Sequence, residues 1–190
     1  MAIVKGMDLD KLEAFRTSLK ANPVTLGLES KSVWEGHSGR NTTHIGPYVL
    51  GGQKIDRDTR HYTFQYGAWR EVEEAIGFDG PTDRVEPVEM VLGAMGACLT
   101  KSIALNAPSN GIDLEGMEII VHADIDPSVL FEVKGPEAHG SCIPNISCEV
   151  RVKGDLTQEQ LDSIERLIDY SPVHGMVAHA NSISHTVTES

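Results

Sequence analysis

The sequence predicts an α+β domain in which antiparallel strands wrap one long buried helix, and three observations carry that prediction. Residues 88–107 are apolar on nearly every face. Short β-prone runs lie on both sides of them, punctuated upstream by Gly36, Gly39, Gly46 and the pair Gly51-Gly52. Two further segments, residues 8–21 and 157–170, repeat apolar residues at helical spacing. The chain has 190 residues, 40% of them hydrophobic, which is enough for a domain with a real core.

Taken in order, Leu9, Leu12, Phe15 and Leu19 ahead of Pro23 predict an N-terminal amphipathic helix that packs on the domain or on a partner subunit. Residues 1–30 are set apart as a helical extension and residues 31–190 as the main domain. Residues 25–65 break into β-prone pieces at 32–35, 48–50 and 61–66, an antiparallel meander. A short helix is expected over 68–76, then a turn-rich, mobile connection over 77–84 containing Gly80-Pro81. Pro87 stands at a helix start, and the apolar run behind it reads as a helix buried all round. Gly93 and Gly96 within it either permit a close backbone approach or mark a bend. Strands are predicted over 112–123 and 146–152, with a loop-rich stretch at 127–144 between them. Thr157 with Gln160 forms a capping box ahead of an amphipathic helix, and residues 183–187 read as a last strand.

Sixteen basic residues against 28 acidic ones give a formal charge of -12, which repels phosphate backbones and argues against nucleic acid as a partner. Aromatic residues make up only 5%, too few for base-stacking platforms. Polar interruptions such as Glu89 and Lys101 argue against a membrane span, and Asp8, Asp10 and Glu13 are unlike a secretory signal, so a cytoplasmic protein is expected. The cysteines, Cys98, Cys142 and Cys148, are odd in number and lack CxxC spacing, so at least one is free of any intramolecular disulfide. The closest histidine pairs, His174 with His179 and His37 with His44, lack the i, i+4 spacing of helical metal ligands, and no metal or cofactor is expected. Ser171 lies near His174 but without a G-x-S-x-G elbow.

Cys98 is the residue on which function turns. Spacing alone allows a packing thiol as readily as a reactive one. The stretch Pro87-Val88-Glu89-Met90-Val91-Leu92-Gly93-Ala94-Met95-Gly96-Ala97-Cys98-Leu99-Thr100 resembles the central-helix signature of the OsmC/Ohr family, in which a proline-led apolar helix carries a peroxidatic cysteine. The order downstream agrees: Gly111-Ile112, two strands, Gly154-Asp155-Leu156-Thr157 opening a helix, then Ser171-Pro172-Val173. The resemblance spans about residues 32–188 and is closest to the longer OsmC-like branch.

That resemblance implies an intertwined homodimer with sheets wrapped around two central helices. It also implies thiol-dependent reduction of organic hydroperoxides, an oxidative-stress defence. Cys98 would be peroxidatic, and Arg40, with Arg60 and His37 as competitors, would supply the cation that a thiolate in an apolar helix requires. The family's acidic brace for that arginine directly follows the proline, where this chain has Val88; Glu89, one residue later, is the candidate, and Glu86 a weaker substitute. Nine residues separate Glu89 from Cys98, so the two project from opposite faces of a straight helix. The resolving cysteine of peroxidase members is missing, since Tyr170-Ser171 stand in its place. An external thiol, or Cys142 or Cys148 within disulfide reach, would then complete the cycle. The alternative is a non-catalytic OsmC-like protein that binds an apolar small molecule.

Overall fold

Asp8 accepts hydrogen bonds from the backbone N–H groups of Asp10 and Lys11 and so caps α1 (Leu9–Ala21), one residue inside the predicted start. In the computed structural model, which describes residues 3–37, 39–179 and 181–189, α1 follows a small hairpin of β1 (Ile3–Val4) and β2 (Met7–Asp8). No side chain of α1 is buried, and Phe15 is exposed. The chain divides into two units, residues 1–90 and 91–190.

The first unit is built on an antiparallel sheet of β3 (Leu26–Trp34), β4 (Asn41–Leu50), β5 (Gln53–Ile55) and β6 (Tyr62–Tyr66). Both long strands exceed the β-prone pieces seen in the sequence. β4 is central: it pairs with β3 along one edge and with both β5 and β6 along the other. The sheet is therefore not the simple meander expected, in which β6 would pair with β5. The cause is a bulge. Gly46 and Pro47 together oppose the single residue Glu29, and the second edge of β4 passes from β6, ending at Ile45 and Tyr62, to β5, starting at Tyr48 and Ile55. Proline has no N–H to donate, so pairing lapses where it stands. α2 (Arg70–Ala75) follows, and a parallel bridge from Tyr66 to Val85 returns the chain to the end of β6. No apolar side chain among the described residues of this unit is buried.

The second unit has an apolar core. α3 (Pro87–Asn106), which begins at the end of the first unit, runs on into a 3-10 turn over Ala107–Asn110 that Gly111 closes in the left-handed conformation at φ 69°. Ile103 and Ala107 pack with Ile112, Ile164 and Leu167, flanked by Met117, Ile119, Val150 and Val152 from an antiparallel ribbon of β7 (Gly116–Ala123) and β8 (Ile146–Lys153). Ile112 belongs to that cluster, not to the strand predicted to start there. α5 (Gln158–Ile168) lies behind a capping box in which Thr157 and Gln160 satisfy each other's backbone N–H groups. The buried Ser102 hydroxyl donates to the Leu167 carbonyl and ties α3 to α5. Between β7 and β8 the loop-rich stretch contains the short α4 (His139–Cys142).

Two expectations are corrected here. α3 is not buried all round: Met95, Leu99 and Ile103 line one stripe at 0–2% exposure, whereas Val91 and Leu105 are exposed at 44% and 39%. By length and composition alone α3 with the following turn would pass for a membrane-crossing helix. Its packing on the β7–β8 ribbon is that of a core helix of a globular unit. Finally, the strand expected at 183–187 is not formed; residues 181–189 are irregular, with Ile183 and Val187 exposed, because no strand among the described residues pairs with them. In its place the C-terminal region supplies α6 (Pro172–Ala178), capped by the Ser171 hydroxyl, which accepts the His174 backbone N–H.

Candidate functional site

In the first unit the chemistry centres on a buried carboxylate that the sequence reading passed over. Glu73 lies on the face of α2 shared with Trp69, Val72 and Ile76, and it is 0% exposed. A carboxylate there must be paired, because the cost of burying an isolated charge is prohibitive. Arg40, just before β4 and with its side chain 11% exposed, donates from Nη2 to Glu73 Oε2 at 2.9 Å and to the Gly80 carbonyl at 2.7 Å. The Thr82 backbone N–H and hydroxyl donate to the same carboxylate. The Arg40 guanidinium and these hydrogen bonds outweigh burial and hold the Glu73 carboxyl down at about 2. The connection over 77–84, expected to be mobile, is thereby tied at Gly80 and Thr82.

Aromatic contacts complete the node. The Arg40 guanidinium lies 5.8 Å from the Phe78 ring centroid, and His37 meets the same ring edge-on at 5.1 Å. His37 Nε2 lies 3.1 Å from the Asp79 carbonyl, which can only accept, so Nε2 carries the proton, and the buried Nδ1 has no partner among the described residues. Beside it, Arg84 grips both oxygens of Glu35 at 3.0 and 2.9 Å, and Thr42 donates to Glu35 as well. Gly67 makes this crossing possible: a Cβ there would stand 3.0 Å from Arg84 Cβ and 3.3 Å from Glu73 Oε1.

The sign of the Glu73 shift makes a pH prediction. Its pKa is depressed on folding, so the stability it lends is complete above the ordinary carboxylate value of 4.5 and is lost as pH falls from there toward about 2. Acid unfolding followed by circular dichroism should be steeper through that window for the wild type than for Glu73→Gln. Equal slopes would show that another carboxylate governs acid stability.

Glu89 does something other than brace Arg40. Its Oε2 accepts the Glu86 backbone N–H at 2.9 Å, while Glu86 Oε2 accepts the Val88 N–H at 2.6 Å. With Pro87 between them, the two glutamates form a reciprocal cap on α3. The carboxylate on Arg40 is Glu73. The signal for it was a glutamate among the apolar residues of α2, and Glu71 and Glu74 beside it masked that position.

In the second unit Cys98 is a free thiol of intermediate burial on α3, next to the fully buried Leu99. The close backbone approach foreseen for the glycine pair is not found at Gly96, whose neighbour is a side chain: a Cβ there would meet Val121 Cγ2 from β7 at an ordinary 3.5 Å. Gly93 has nothing that near, and α3 runs unbroken through both. Cys98 is about 200° round the helix from Gly96 and so flanks the buried stripe on the side away from Val121. Cys148, cross-strand from Val121, therefore shares the ribbon face that Gly96 meets and not the side on which Cys98 projects. Cys148 is exposed, and desolvation nonetheless raises its pKa. Cys142 is buried at 6% exposure, and its thiol donates to the Ala138 carbonyl at 3.3 Å. Ser171 is a helix cap, not a nucleophile with an oriented base. Among the described residues no group of three or more His, Cys, Asp or Glu side chains is placed to hold a metal ion.

The crystal structure of an OsmC-like protein from Mycoplasma pneumoniae is similar, with a TM-score of 0.54 at 13% identity, covering 80% of this chain and 86% of that one. That of a protein from Psychrobacter arcticus, described as an osmotic stress induced and detoxification response protein, has a TM-score of 0.50 at 13% identity over 77% of this chain and 85% of its own. At such identities the likeness is one of fold. A search of curated proteins finds no match. The sequence model of OsmC-like proteins matches residues 80–186, more than half of the chain and all of α3 with Cys98, and by that match the chain belongs to the OsmC-like protein family.

Proposed function

We propose that this protein reduces organic hydroperoxides with Cys98 as the peroxidatic thiol, a detoxifying role in stress defence, with an external thiol as reductant. The observation that carries the proposal is a free, incompletely buried cysteine on a proline-led helix inside the region that matches the family. The Cys98 thiolate attacks the distal peroxide oxygen. The S–O bond forms as the O–O bond breaks, and the electron pair leaves on the proximal oxygen, which takes a proton and departs as an alcohol. Cys98, oxidised by two electrons to the sulfenic acid, is attacked by one external thiol with loss of water. A second external thiol then releases Cys98 and carries away the disulfide. Small cytoplasmic thiols are the class of reductant this cycle needs.

Arg40 is assigned as the cation that favours the thiolate, through the family resemblance and because Glu73 immobilises its guanidinium. The working unit is a homodimer. Support comes from large apolar side chains that a single chain leaves exposed in each unit taken separately: Leu28, Val33 and Trp34 on β3, and Val91 and Leu105 on α3.

The test is a single turnover. After one equivalent of cumene hydroperoxide, intact mass should show one added oxygen, located on Cys98, and Arg40→Gln should slow its appearance. An unmodified Cys98, or a stable monomer by light scattering at micromolar concentration, would overturn the catalytic and dimeric parts respectively.

A further inference from the structure

The bulge in β4 opens a cleft that the thiol chemistry does not use. At Gly46 and Pro47 the strand changes partners from β6 to β5, and the gap between those two strands is a cleft of about 560 Å³. Lys31, His44, Tyr48, Lys54, His61 and Tyr62 are among its lining residues.

The charges around it are unusual for a chain of net charge -12. Arg40, Arg70, Arg84 and Arg151 each rest on a carboxylate. Arg60 rests on aromatic rings instead, its guanidinium carbon 4.9 Å from the Tyr48 centroid and 5.9 Å from that of Tyr62, and both rings wall the cleft. Its buried Nε has no hydrogen-bond partner among the described residues. Lys54 and His61 share one carboxylate, Asp56, at 3.4 and 3.6 Å, and Glu29 is the acidic residue of the lining. Lys31, Lys54 and Arg60 thus outnumber Glu29 and Asp56.

We propose that this cleft binds a small organic anion, a carboxylate borne on an apolar or aromatic body. The carboxylate is drawn by the field of Arg60, Lys31 and Lys54, and the body lies against Tyr48 and Tyr62. Tyrosine faces suit such a body, and the cations select for charge. The site stands independently of the activity assigned to Cys98.

The experiment titrates the ¹⁵N-labelled full chain with 2-naphthoate and, separately, with the uncharged 2-naphthamide. Saturable shifts are expected at the backbone amides of Lys31, His44, His61 and Tyr62 and at the Arg60 Nε–H. The amide should bind at least about tenfold more weakly than the acid. Arg60→Gln should weaken naphthoate about tenfold. So should Lys31→Gln/Lys54→Gln, which alters only exposed side chains and serves if the arginine variant does not fold. Equal binding of acid and amide, shifts centred elsewhere, or unchanged affinity in the lysine double variant would each overturn the proposal.

Discussion

Supplied with cumene hydroperoxide and excess dithiothreitol, the wild-type protein is expected to consume peroxide, and Cys98→Ser is expected to fall to the dithiol background, a loss of about a hundredfold or more. The size follows from the chemistry. Attack on the peroxide needs a polarisable anion at neutral pH, and a serine hydroxyl at the same place offers neither the charge nor the soft nucleophile. Cys142→Ser and Cys148→Ser are expected to keep turnover within about twofold, because dithiol supplies the second sulfur and neither residue is asked to resolve the sulfenic acid. Cys142 is buried with its thiol on a backbone carbonyl, and Cys148 belongs to the ribbon face that meets Gly96. Turnover retained in Cys98→Ser would move the chemistry to another residue. A wild type that consumes nothing and keeps an unmodified thiol would favour the binding protein over the enzyme.

The second large effect is on stability. Glu73→Ala should cost about 3–5 kcal/mol, because it strands the Arg40 guanidinium in a site where its side chain is 11% exposed. The Thr82 donors lose their acceptor in the same stroke. Urea unfolding would show the loss as a lower midpoint at unchanged slope. The double variant Arg40→Met/Glu73→Leu should recover a good part of it, since removing both charges leaves neither to be buried alone. If Glu73→Ala unfolds within about 0.5 kcal/mol of the wild type, as surface substitutions do, the pair is not buried in solution.

Elements whose cause is local were legible in the sequence. α5 announces itself by Thr157 and Gln160, α3 by Pro87 ahead of an apolar run, and the alternation in β7 and β8 fixes which residues share a face. What depends on distant pairing was not legible. The partner exchange of β4 lies in Gly46-Pro47, a dipeptide that reads as an ordinary break between strands until β5 and β6 are both seen beside it. The strand expected at 183–187 has the composition of one, but alternation cannot supply a neighbour to pair with. The site divides the same way. Cys98 and Arg40 are candidates through the family's helix motif and meander, whereas the pairing of Glu73 with Arg40 depends on a fold-back of residues 77–84 that no local pattern encodes.

β3 offers its β4-facing edge to the sheet and leaves its other edge unpaired among the described residues, with all nine positions exposed. An open backbone edge carrying Leu26, Leu28 and Trp34 is a template for strand addition, and the sequence places only Glu29 and Lys31 along it as charged gatekeepers. Wherever no partner covers β3, mutual repulsion between chains of net charge -12 holds such edges apart in dilute solution. That protection is colloidal, not structural: it fades as carboxylates protonate or salt screens them, so turbidity under mild acid should precede any loss of secondary structure.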